Sequence, residues 1–162
     1  MSVADDLLQA NETYASSFTK GGLPMPPGKH VAIIACMDAR LDPARALGLE
    51  EGDAHVIRNA GGRAADAIRS LVISQQLLGT REVVIVHHTD CGMLTFTDEQ
   101  LKNQVERNLG ARPSTPFLPF GDLVQSVRDD IEEVKASPYV MKDVTVRGFI
   151  YDVKTGRVHE VV

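Results

Sequence analysis

Apolar residues fall in two rhythms along this chain. Over 30–35 (HVAIIA) and 82–88 (EVVIVHH) they run with little interruption, the pattern of a strand buried on both faces. A shorter strand, 54–58 (AHVIR), leads into the glycine pair Gly61 and Gly62. Elsewhere the spacing is helical. Val3, Leu7, Leu8, Ala10, Tyr14 and Phe18 predict a helix over 3–19, closed by the turn KGGLPMPPGK. Asp42 and Pro43 supply a cap and a first-turn proline for a short helix to Leu47. Ala64, Ala67, Ile68, Leu71, Val72, Leu77 and Leu78 predict a helix over 63–78 that stops at Gly79. Thr97 caps a polar helix over 98–109 that ends at Gly110, and Leu123, Val127, Ile131 and Val134 align along another over 121–136.

Strand, helix, strand in repetition calls for parallel pairing with right-handed crossovers. The last segment, VTVRGFIYDV, the turn KTGR and VHEVV, reads as a hairpin extending the sheet. The expected fold is therefore α/β, a single domain over 1–162 with a mainly parallel central sheet flanked by helices and a C-terminal antiparallel strand. The N-terminal helix stands ahead of a self-contained core and has no obvious cover at home, so it is a candidate for wrapping a dimer partner, packing on its own core being the alternative. Phe117, Leu118 and Phe120, in the proline-rich connection ARPSTPFLPFG, either pack on the core or wall a nearby site.

Composition narrows the partners. At 162 residues the chain can bury roughly two thirds of its unfolded surface in one core. With 17 Lys and Arg against 22 Asp and Glu, net charge −5, there is no basic field for a phosphate backbone, and nucleic acid is not expected as a partner. MSVADDLLQA is acidic where a signal peptide is basic, and no apolar run approaches the length of a membrane span, so a cytoplasmic protein with no membrane contact is expected. Cys36 and Cys91 could close one disulfide, but a reducing compartment and the His, Asp and Arg beside them favour free thiolates.

The chemistry gathers where the apolar runs end. One ends in His87, His88, Asp90 and Cys91, the other in Cys36, Asp38 and Arg40. His88 and Cys91 have a His-x-x-Cys spacing suited to one metal as the chain turns off a strand. In an open α/β sheet the carboxyl ends of neighbouring strands are where ligands gather, so Cys36 can join them. Two thiolates and an imidazole suit zinc with a fourth position open to water, iron being the lesser candidate. Two thiolates neutralise a zinc ion formally, so bound water is acidified less than at a three-histidine zinc, and activity is expected to rise on the alkaline side. Asp38 has two available roles. It can close the fourth position, or it can pair with Arg40, whose fork engages both carboxylate oxygens, and leave the metal to water. His87 and His88 point to opposite faces of a strand, so only one can meet the metal; the spacing selects His88, and His87 is expected to be packed. His55 is a weaker proton-relay candidate, and His30 and His159 look structural or exposed. Asn59, Gly61 and Gly62 end the second strand at the same sheet edge, where small glycines allow backbone N–H donation to an anion, with a plain tight turn as the competing reading.

Together these residues resemble a β-class carbonic anhydrase of the short-chain bacterial type. Cys36-x-Asp38-x-Arg40, the RNAGG stretch 58–62 and His88-x-x-Cys91-Gly92 occur in that family's order and spacing. The resemblance implies a homodimer, or a tetramer of dimers, with the N-terminal helix on its neighbour. It implies Zn2+ on Cys36, His88 and Cys91, an Asp38–Arg40 catalytic dyad, and reversible hydration of carbon dioxide to bicarbonate and a proton. Gly92 joins Asn59, Gly61 and Gly62 as candidate substrate- or anion-binding residues. The chain has no tryptophan, so a non-catalytic bicarbonate pocket built around Trp is not expected. Two alternatives share the same ligands: a carbonyl sulfide or carbon disulfide hydrolase, and a non-catalytic zinc or bicarbonate sensor closed by Asp38.

Overall fold

In a computed structural model that describes residues 2–162, the two rhythms become a sheet and its covering helices. The strands are β1 (Val31–Cys36), β2 (Ala54–Asn59), β3 (Glu82–His88), β4 (Thr145–Tyr151) and β5 (Val158–Val161). The helices are α1 (Val3–Ser16), α2 (Pro43–Leu47), α3 (Ala64–Leu78), α4 (Asp98–Leu109) and α5 (Leu123–Ala136). Their starts follow from capping. The Asp42 carboxylate accepts from the N–H groups of Ala44 and Arg45, Thr97 and Gln100 close a capping box, and Asp122 accepts from Gln125 N–H.

The sheet order is β2-β1-β3-β4-β5, with β1 to β4 parallel and β5 antiparallel to β4. The chain steps from β1 outward to β2, then returns past β1 to β3. The connections therefore diverge between β1 and β3, the switch point at which open α/β sheets bind ligands. In register, Ala35 lies opposite Val86, so Cys36 and His88 leave neighbouring strands at the same edge.

Alternation along β1 and β3 feeds two cores. Ala32, Ile34, Val83 and Ile85 face Ala64, Ala67 and Leu71 of α3 and Val134 of α5. Ile33, Ala35 and Val86 face the other way, toward Leu41, Cys91 and Met93. Gly148 of β4 is where α5 lies closest, since a Cβ there would overlap Val127 and Ile131. Burying one such Val, Leu or Ile contributes about 1.5–3 kcal/mol, which makes the central strands the most resistant part of the fold.

The structure departs from expectation at α1, which stops at Ser16. The Ser16 hydroxyl donates to the Thr13 carbonyl at 2.7 Å and the Ser17 hydroxyl to that of Tyr14 at 3.3 Å, competing with the backbone as Gly21 and Gly22 approach. No α1 residue is buried; Val3, Leu7 and Leu8 are 76 %, 66 % and 68 % exposed. The Tyr14 hydroxyl donates to Glu51 at 3.2 Å, a tether between α1 and the loop before β2. Phe117, Leu118 and Phe120 are half-buried, and Phe120 packs against the Met93 side of the core. No helix among the described residues is long and apolar enough to cross a membrane.

Candidate metal centre

Cys36 ends β1, His88 ends β3, and Cys91 follows the turn after it, where Asp90 adopts φ 55°. One donor atom from each of the three lies within 4.8 Å of the other two, and all three residues are buried. A tetrahedral zinc with Zn–S near 2.3 Å and Zn–N near 2.05 Å separates such donors by about 3.6–3.8 Å, a spacing inside that bound. The donor set fits on a second ground. The His88 Nδ1 faces the Thr89 carbonyl at 2.8 Å, which assigns the proton to Nδ1 and leaves Nε2 a bare acceptor. That Nε2 is buried and has no hydrogen-bond partner among the described residues. A buried lone pair without a donor is costly unless it meets a cation.

Two thiols this close cannot both ionise by themselves. Hydrogen bonding from Cys91, with help from His88 and the N–H groups of Asp38 and Gly61, holds Cys36 well below the usual thiol range. The Cys91 thiol is pushed far up by that same contact and by burial. Burial opposes a charge on His88, but the Cys36 sulfur and the Thr89 carbonyl outweigh it, and its pKa is raised. A divalent cation relieves the conflict by giving both sulfurs positive charge to face.

Asp38 is held by its neighbour. Its Oδ1 accepts from the Arg40 backbone N–H at 2.8 Å and from Nε at 3.0 Å, and its Oδ2 accepts from Nη2 at 2.8 Å. These bonds keep the carboxyl well below the usual carboxylate range. Oδ1 has thereby used both acceptor positions, whereas Oδ2 keeps one, and Oδ2 is the oxygen 3.7 Å from His88 Nε2. Of the two roles open to Asp38, the structure shows pairing with Arg40.

Arg58 shapes the loop that carries both groups. Its guanidinium donates to the carbonyls of Cys36 at 2.8 and 3.0 Å, Asp38 at 2.9 Å and Leu41 at 2.7 Å. In sequence it opens the RNAGG stretch that ends the second strand at the same sheet edge; its grip on the Cys36 loop depends on carbonyls 17 to 22 positions away.

The turn after β2 closes under Cys36. Gly62 has φ 64°, and a Cβ there would meet Cys36 N at 2.8 Å and the Ala35 carbonyl carbon at 2.9 Å, so only glycine fits. Asn59 spends its amide on Arg63, donating to the carbonyl at 3.0 Å and accepting from the N–H at 2.7 Å. These contacts hold the turn against the loop that carries Cys36. The Gly92 carbonyl accepts from the Thr95 hydroxyl at 2.6 Å, and a Cβ on Gly92 would meet nothing within 4 Å.

His87 is packed on the other side of the sheet. Its Nε2 lies 2.9 Å from Asp130 Oδ2 and 3.2 Å from the Gly62 carbonyl, its Nδ1 2.8 Å from the Ser126 hydroxyl, and its ring stacks on Phe120. Arg63 completes the group with Nη2 3.0 Å from Asp130 Oδ1. The sequence reading missed Asp130, although Ser126 and Asp130, four apart beside the apolar stripe of α5, signalled a polar pair directed inward. His55 lies at the edge strand, its Nδ1 2.7 Å from the Ser74 hydroxyl.

The fold and this centre define an open α/β metalloprotein with a two-thiolate, one-imidazole zinc site at the strand carboxyl ends and an Asp–Arg pair beside it. Residues 31–113 match the family model described as carbonic anhydrase. The chain is 54 % identical over 162 residues to beta-carbonic anhydrase 1 of Mycobacterium tuberculosis, covering 99 % of each. A solved structure of carbonic anhydrase from Glaciozyma antarctica superposes with a TM-score of 0.96 at 51 % identity, covering all of both chains. At greater distance, a carbon disulfide hydrolase of an Acidianus species is 32 % identical, with 96 % of this chain and 87 % of that protein covered. The chain belongs to the carbonic anhydrase family, in its β class.

Proposed function

We propose that this chain, acting as one domain, catalyses the reversible hydration of carbon dioxide to bicarbonate and a proton, with zinc on Cys36, His88 and Cys91. The observation that carries this reading is the free acceptor position of Asp38 Oδ2, 3.7 Å from His88 Nε2, on a carboxylate that Arg40 holds ionised. Zinc held by these residues would supply Lewis acidity, lowering the pKa of water, though less than a three-histidine site does, so that the nucleophile gains population on the alkaline side. Asp38 Oδ2 would accept the hydrogen bond of a hydroxide held at this site and turn an oxygen lone pair toward the carbon, the proton lost in forming that hydroxide going to solvent or buffer. Arg40 keeps Asp38 turned to that task by occupying the other acceptor positions. Arg58 and the Gly61–Gly62 turn hold the loop so that these atoms stay in place. Identity of 54 % to a β-carbonic anhydrase against 32 % to a carbon disulfide hydrolase favours carbon dioxide as substrate.

The working form we propose is a cytoplasmic dimer, or a tetramer of dimers, in which α1 lies on a second copy. The exposed Val3, Leu7 and Leu8 support this, as do two cysteines that are free thiols. Stopped-flow carbon dioxide hydration on protein of verified zinc content, from mildly acidic to alkaline pH, tests the activity. A zinc-dependent rate that climbs with pH is expected. A zinc-loaded protein inactive at every pH overturns the reading and directs attention to sulfide release from carbon disulfide or carbonyl sulfide.

A further inference from the structure

Arg40 is shared. Its Nε and one Nη2 hydrogen bond hold Asp38, while Nη1 donates to Asp90 Oδ2 at 2.8 Å and Nη2 also donates to the Asp90 carbonyl at 3.0 Å. Four side-chain donors are thus placed along a rigid fork, Asp38 on one edge and Asp90 on the other, with no competition for the same N–H. The two aspartates belong to the two loops that carry the metal ligands. Asp38 follows Cys36, and Asp90 sits between His88 and Cys91.

We propose that Asp90 is a positioning residue for the Asp38–Arg40 pair, fixing the plane of the Arg40 guanidinium so that its Nε–Nη2 edge stays on Asp38. The inference rests on the catalytic reading above. An Arg with one partner two residues away keeps much of its rotamer freedom, and Arg40 is 47 % exposed. A second, two-point contact from the opposite loop removes that freedom. Asp90 is 75 % exposed, so its charge is well screened and its contribution lies in geometry more than in attraction. Its backbone conformation, φ 55°, makes the turn into Cys91 and brings carboxylate and carbonyl to the same guanidinium. Asn tolerates this conformation and keeps an acceptor oxygen, while Gly tolerates it and keeps only the carbonyl.

Those two replacements form the test. Exchange of the Arg40 Nε–H, read by nitrogen-15 NMR on the zinc-loaded protein, reports the guanidinium directly. The visible spectrum of the cobalt(II)-substituted protein at one fixed neutral pH reports whether a carboxylate has moved onto the metal. Asp90→Gly is expected to speed the exchange about tenfold, to shift the cobalt bands toward carboxylate ligation, and to lower kcat by a similar factor with KM unchanged. Asp90→Asn is expected to fall between Gly and the unaltered protein. If both variants bind metal fully and leave exchange, spectrum and kcat unaltered, Asp90 has no positioning role. A melting temperature that falls while Arg40 exchange and the cobalt bands stay put also overturns the proposal, because the aspartate is then merely structural. Should the unaltered protein hydrate no carbon dioxide, the catalytic reading fails while exchange and spectrum still decide the role of Asp90.

Discussion

His87 and His88 are adjacent in sequence, both fully buried, and chemically opposite. On the helix side of β3, His87 is bonded at both nitrogens, and its partner Asp130 is in turn paired with Arg63. On the other side, His88 has one nitrogen committed to a carbonyl and the other grouped with two sulfurs, without a hydrogen-bond partner among the described residues. Burial alone therefore says little about what a polar residue is for. A fully partnered imidazole braces the fold, and a half-partnered one is prepared to take a cation.

The contrast can be broken from either side. The largest effect is expected on the sulfur side. Cys91→Ser should lose zinc and lower hydration by more than about 100-fold, beyond the 10–100-fold typical of changes outside the ligand set. Zinc retention in full, measured by elemental analysis, would remove Cys91 from the ligands. Next comes Asp38→Ala, which should keep its zinc yet lose about 100- to 1,000-fold in turnover, the scale of a positioned acid–base group. Normal turnover would end the dyad reading.

On the helix side the loss should appear as stability. Asp130→Ala leaves Arg63 and His87 without their acceptor and should cost about 3 kcal/mol in denaturant unfolding, with zinc content unchanged. His87→Gln should cost about 1 kcal/mol and also leave zinc stoichiometry alone. Loss of metal in that variant would mean that the two histidines have been assigned the wrong way round.

A contact remote from both histidines supplies the smallest effect. The Lys20 ammonium beside Glu51 holds that carboxyl at about 2 against its usual 4.5. A depressed acid contributes its stability above the unfolded value and loses it as the pH falls through the folded one. Between pH 4.5 and about 2, the unaltered protein should therefore lose slightly more thermal stability than Glu51→Gln, whose curve lacks that component. Parallel melting curves across this window would mean that the contact contributes nothing.

Much of the architecture was legible in the chain. Unbroken apolar runs, helical spacing and caps at Asp42, Thr97 and Gly79 name local structure, because each depends on residues within one or two turns of each other. Strict alternation on β3 separated His87 from His88 before any fold was known. The length of α1 was misjudged because side-chain hydroxyls of Ser16 and Ser17 took carbonyls that the apolar spacing had assigned to the helix. Arg58 at the Cys36 loop, the second aspartate on Arg40 and the pairing of Asp130 with His87 depend on long-range contacts; for Asp130 the chain offers only its inward place four residues after Ser126. These partners lie 17 to 50 positions away, and they come within reach only because β2 and β3 pair on either side of β1 and α5 packs beneath β3. The sequence by itself determined which residues carry the donor atoms and which face of a strand each occupies, since periodicity is a local property of the backbone. Which donors are bonded to protein and which are left for a metal was decided only by the tertiary structure, because satisfaction of a buried polar atom depends on everything packed around it.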